Sequence, residues 1–161
     1  MTDSDVEMVY TVEGYNGTRL VVIEPTALNA MRACRQISPA APEAGGILIG
    51  ERRGTSFVVK EVTKPTLKDE SSRFKFVRKF HHHQLAVVSA NQSSGGTSNY
   101  LGEWHTHPQD RPFPSGIDLK NWLLALRRHE PCLVSVVGRR EEWWALHENG
   151  RFHVLSLLNK L

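Results

Sequence analysis

The chain has 161 residues, 40% apolar and 23% charged, a balance that excludes wholesale disorder and fibrous repeats and suffices for one packed domain over residues 1–161. Its net charge of +3 is too mild to point to nucleic acid as a partner. Cys34 and Cys132 form no CxxC pair, the acidic N-terminus lacks an apolar leader, and no apolar run could span a bilayer, so a cytoplasmic protein without disulfides or membrane contact is expected.

Residues 1–8 read as a frayed acidic tail. Residues 9–13 and 19–23 are β-rich runs around Gly14, Asn16 and Gly17, the pattern of a hairpin. Pro25 opens a helix with Ala27, Leu28, Met31 and Cys34 at helical spacing, and residues 38–42 break it. Residues 46–50 and 56–62 form a second hairpin about the turn GERRGT. Residues 64–72 are a polar loop, and the basic cluster of Arg73, Lys75, Arg78 and Lys79 that follows reads as a solvated face. His81, His82 and His83 cannot all face one ion on regular secondary structure, so they predict the solvent-facing start of a helix over 84–90.

Residues 91–99, NQSSGGTSN, are a flexible loop by composition, and this loop and residues 66–72 are the segments expected to touch a substrate. Residues 100–106 read as a strand. From Asp118 a helix places Leu119, Trp122, Leu123 and Leu126 on one face, with Arg127, Arg128 and His129 closing it before Pro131. Residues 133–137, 142–146 and 151–158 read as three final strands, with His147 and Glu148 in a turn. Hairpins mixed with a few helices predict an α+β fold whose mixed β-sheet is flanked by helices.

The chemistry concentrates in GEWHTHPQDRPFPSGID, residues 102–118. His105 and His107, two apart on a strand, project to one face. A proline-rich turn then returns the chain, so that Asp118 can close a site with them. Two imidazoles and a carboxylate are the donor set of a catalytic zinc, whose fourth position stays open for water. Ser115 and Asp118 also have the spacing of a helix capping box, which by itself would account for both. The zinc-deaminase pattern is excluded, because no Glu stands between the histidines and Cys132 has no second cysteine.

These residues carry a resemblance. Glu, then His-(Ser/Thr)-His, seven residues, Ser, two residues and Asp is the signature of JAMM metallopeptidases, the catalytic MPN domains. Here it reads Glu43, His105-Thr106-His107, Ser115 and Asp118 without departure, and PEAGGILIG is similar to the family's early strand. The resemblance implies a cytidine-deaminase-like JAMM architecture, with one Zn2+ held by His105, His107 and Asp118. It implies that Glu43 is the general base and that Ser115 donates a hydrogen bond to the oxyanion, although capping draws on the same hydroxyl. Trp104 and Pro108 are read as braces of the ligand strand and turn.

The resemblance also implies a protein substrate, cut after the C-terminal residue of a conjugated protein. The compact chain and the string YLGEWHTHP resemble the bacterial subgroup found with CBASS antiphage operons. There an E1/E2-like enzyme attaches a cGAS-like nucleotidyltransferase to targets, and the JAMM partner removes it. A deconjugase or maturation protease for a bacterial ubiquitin-like protein is the alternative. A RadC-like DNA-repair protein would read HNHPSG where this chain reads HTHPQD, and non-catalytic MPN scaffolds lose ligands that are all present here.

Overall fold

The computed structural model describes residues 5–14, 17–64, 70–71, 76–77, 82–126 and 130–159. A nine-stranded mixed sheet organises them. The first hairpin joins β1 (Met8–Gly14) to β2 (Gly17–Ile23), with Gly14 opposite Gly17. Helix α1 (Pro25–Arg32) follows, started by Pro25 in its first turn and buried through Ala27, Leu28 and Met31. Cys34 lies just past its end and packs against the same core. The second hairpin, β3 (Gly45–Arg53) and β4 (Ser56–Val62), turns at Gly54 as its sequence predicts.

Two short strands, β5 (Glu70–Ser71) and β6 (Phe76–Val77), pair with each other in the stretch read as a polar loop and basic segment. The cluster of Arg73, Lys75, Arg78 and Lys79 lies outside the described residues, as does His81. Helix α2 (His82–Ser93) starts earlier and ends later than expected. His83 corrects the solvent-facing reading: it is 1% exposed and hydrogen-bonds Thr63 through Nδ1. The supposed loop over 91–99 is mostly helix end and strand start, with only a short turn at Gly95 and Gly96 between them.

β7 (Ser98–Thr106) runs through the sheet centre, antiparallel to β3 and parallel to β8 (Cys132–Val137). Helix α3 (Gly116–Ala125) buries Trp122, with Leu126 just beyond it, whereas Leu123 points outward at 47% exposure. All six residues of β8 are buried and alternate between two cores. Leu133 and Val137 join the core under α1, and Cys132, Val134 and Val136 the core under α3. Helices therefore cover both faces of the central strands, which is the expected flanked mixed sheet.

β9 (Glu142–Glu148) and β10 (Arg151–Val154) form a hairpin about Asn149 and Gly150, both at positive φ as a type I′ turn requires. His147 thus lies inside a strand, and the turn is the two residues after Glu148. The last predicted strand, 151–158, splits in two. Leu155 separates β10 from β11 (Ser156–Asn159), which pairs with β1 at the opposite end of the strand order. One residue bridges the two ends of the sheet, so the sheet must curl until they adjoin. Leu155 is buried there, its N–H donating to the Trp144 carbonyl. Tyr10 meets Trp144 across this seam at 6.2 Å, and the buried Arg19 guanidinium pairs with Glu148 at 2.7 Å. Glu142 is held on the same side by Arg32 and Arg35.

Candidate metal centre

The C-terminal end of β7 carries His105 and Thr106, and His107 is the next residue. His105 lies between Gly45 of β3 and Val136 of β8, and the Thr106 and His107 N–H groups extend the ladder to the Ala44 and Val137 carbonyls. Alternation sends Trp104 and Thr106 toward the α1 side and both histidines toward α3. Trp104 is buried at 1% exposure, and its indole N–H donates to the Thr63 carbonyl at 3.1 Å. Gly46 makes that approach possible, because a Cβ there would stand 2.3 Å from the same carbonyl oxygen.

The histidines meet α3 at its first turn. Ser115 is the N-cap: its Oγ accepts the Asp118 N–H at 3.0 Å, while Asp118 Oδ2 accepts the Ser115 N–H at 2.8 Å. The capping box read from the sequence is present, and it aims Asp118 at the imidazoles. Asp118 Oδ2 lies 3.2 Å from His105 Nε2 and 3.1 Å from His107 Nε2, and the two Nε2 atoms are 3.2 Å apart. A tetrahedral ion with bonds of about 2.0–2.1 Å needs donors about 3.3–3.4 Å apart. This nearly equilateral triangle fits that requirement within a few tenths of an ångström.

The His107 ring also hydrogen-bonds the Phe113 backbone. With Nε2 facing the triangle, this contact falls to Nδ1, so a bound ion would take the Nε2 lone pair in place of the hydrogen bond that Nε2 makes to Asp118 in the metal-free chain. His105 is braced by the Trp122 ring at 5.3 Å, itself stacked on Trp143 with planes 2° apart.

Glu43 arrives from the other side, in the segment just before β3, and is 7% exposed. Glu43, His105 and His107 place their donor atoms within 4.8 Å of one another, so two carboxylates compete for the role of third ligand. Their protonation separates them. Burial opposes charge on Asp118, but hydrogen bonds from His105 and His107 prevail and hold its carboxyl well below the usual range. Burial pushes Glu43 up; the histidines counter this in part, and the Asp118 charge adds to it. A ligand must be ionised, whereas a proton carrier gains from an elevated pKa. Asp118 suits the first role and Glu43 the second.

Comparison with known proteins bears on this arrangement. The family described as prokaryotic homologs of the JAB domain matches residues 26–147, a span that contains Glu43, both histidines, Ser115 and Asp118. The chain belongs to the prokaryotic JAB family. The resemblance to JAMM (MPN) domains read from its motif is thereby confirmed. A Vibrio cholerae relative of this JAB protein is 42% identical over 140 residues, covering 87% of this chain and 88% of its own. An Escherichia coli relative is 42% identical over 123 residues, covering 76% and 79%. Both are named CD-NTase/cGAS isopeptidase. A Desulfitobacterium hafniense protein solved in solution has a similar fold, with a TM-score of 0.55 and 24% identity over 81% of this chain and 84% of that one.

The sequence reading brought together Glu43, His105, His107, Ser115 and Asp118; in the structure Asp118 Oδ2 lies 3.1–3.2 Å from both imidazoles, and Glu43 has a carboxylate oxygen within 4.8 Å of both. It missed Trp122 as a brace, because its helical spacing reads only as core. It also missed Gln36 and Thr63, whose partners lie far along the chain. A groove of about 960 Å³ runs over β3 and β7 past Ile47, His83, Tyr100 and Glu103. None of Glu43, His105, His107, Ser115 and Asp118 lines it.

Proposed function

We propose that this chain is a zinc-dependent isopeptidase that cuts after the C-terminal residue of a conjugated protein, releasing a cGAS-like nucleotidyltransferase from its targets. The observation that carries the reading is the triangle of His105, His107 and Asp118 with Glu43 beside it, in a JAB chain whose 42%-identical relatives bear the isopeptidase name. Those names favour a nucleotidyltransferase over a ubiquitin-like protein as the released partner. The conjugate would be the product of an E1/E2-like enzyme in a cytoplasmic CBASS antiphage system, the setting implied by the motif's resemblance.

His105, His107 and Asp118 would hold the metal. Bound zinc supplies a water acidified toward a pKa of ~7 and a polarised scissile carbonyl. Glu43 takes the proton of the attacking water and passes it to the departing lysine amine, a transfer suited to its raised pKa. Ser115 donates its hydroxyl proton to the developing oxyanion. The two roles of that hydroxyl do not conflict: the cap uses a lone pair, and a hydroxyl keeps its proton to give.

The test is cleavage of a cGAS-like nucleotidyltransferase with a reporter protein fused after its C-terminal residue. Zinc-loaded enzyme is expected to cut at that junction, read by intact mass, and chelation is expected to abolish the cut. An intact fusion in the presence of zinc, or a cut that survives chelation, would overturn the reading.

A further inference from the structure

Glu43 sits in residues 41–44, a stretch outside any helix or strand that enters the interior between α1 and β3. Backbone polar groups buried there need partners, and the strand ladder reaches only the Ala44 carbonyl. Two side chains supply further ones. The Ala41 carbonyl accepts from Gln36 Nε2 at 3.1 Å. The Ala44 N–H donates to Thr106 Oγ1 at 2.9 Å, and the Ala44 carbonyl accepts the Thr106 N–H at 2.8 Å. The Thr106 hydroxyl donates in turn to Gln36 Oε1 at 2.9 Å.

The donors and acceptors close without conflict. The hydroxyl accepts one N–H and gives its single proton to an amide oxygen, and the same amide gives an N–H to Ala41. Gln36 and Thr106 are both 0% exposed, so water cannot replace these bonds. The stretch that carries Glu43 is therefore gripped on either side of it. Thr106 is also the residue between His105 and His107, its side chain turned to the opposite face of β7. One threonine is joined by the chain to both imidazoles and by two hydrogen bonds to the residue after Glu43.

We infer that Thr106 and Gln36 are positioning residues that set the separation between the Glu43 carboxylate and the histidine pair. The inference rests on the isopeptidase reading, with Glu43 as base. The histidines are fixed independently, by ladders to β3 and β8 and by the Trp122 ring. Loss of the grip would leave the metal ligands in place and free the base to drift. A displacement near 1 Å of a reacting group lowers turnover by up to about a hundredfold.

Thr106→Val, Thr106→Ser, Gln36→Met and Glu43→Ala would be assayed on the nucleotidyltransferase–reporter fusion, with zinc content and unfolding midpoint measured on the same preparations. Thr106→Val keeps the branched shape without the hydroxyl; it is expected to retain zinc and KM while kcat falls about ten- to a hundredfold. Thr106→Ser restores the hydroxyl and should return kcat to within about threefold of native, with Gln36→Met between the two. Native kcat in Thr106→Val, a loss that tracks zinc or folding, or no rescue by serine would overturn the inference. Should Thr106→Val fail to fold, native kcat in Gln36→Met overturns it equally. Glu43→Ala separates the two levels. Turnover surviving in Glu43→Ala refutes the assigned base, whereas an inactive Glu43→Ala beside a fully active Thr106→Val refutes the positioning role alone.

Discussion

Two carboxylates a few ångströms from the same imidazoles are driven in opposite directions, and that contrast supports the proposed split into ligand and base. Asp118 is tied to both histidines and stays ionised; Glu43 is buried, and its pKa is raised. A raised pKa means that the folded chain binds the proton more tightly than the unfolded chain. The stability this group contributes is fully present below the ordinary glutamate range and is lost as pH rises through the raised value. Glutamine cannot ionise, so metal-free Glu43→Gln should unfold at a higher temperature than the native chain near about pH 7, with the gap closing toward about pH 4. Thermal unfolding at the two pH values checks this; a gap of constant size would contradict it. His105, His107 and Asp118 were legible in the sequence because a strand period and one turn bring them together locally. Glu43 was legible only through the family motif, since no spacing rule reaches across some sixty residues. Gln36 was not legible at all: a glutamine gains its meaning from a partner 70 positions away.

Among the elements, α3 does two jobs with one turn. Its N-terminus is capped by Ser115, aims Asp118 at the histidines, and offers a favourable end for a negative charge. Ser115→Ala should therefore lose about 0.5–2 kcal/mol of stability with the cap, and about 10²–10³ in kcat with the oxyanion donor. Unfolding midpoint and turnover measured together decide between roles; a stability loss with unchanged kcat would leave Ser115 a cap alone. The hairpins and α1 followed from turn residues and periodicity, which are local. The start of α2 did not, because His83 is drawn inward by Thr63, the residue just past β4. The exposure of Leu123 likewise escaped the pattern, since helical spacing gives a stripe without saying how wide a stripe the sheet covers.

At the scale of the molecule, the sheet curls until β10 and β11 are one residue apart, and the closure is sealed by Tyr10 on Trp144 and Arg19 on Glu148. Residues 151–158 read as one strand because their composition holds no turn; the switch at Leu155 from one sheet end to the other is imposed by tertiary pairing. The same long-range assembly builds the site, which takes its proposed ligands from β7 and α3 and its base from the entry to β3. That division makes a direct test possible. Zinc per chain and turnover would be measured together for Asp118→Ala and Glu43→Ala. The account predicts that Asp118→Ala loses the metal and with it all activity, while Glu43→Ala keeps about one zinc per chain and still fails to turn over. Equal zinc loss in both variants, or turnover surviving in Glu43→Ala, would contradict it.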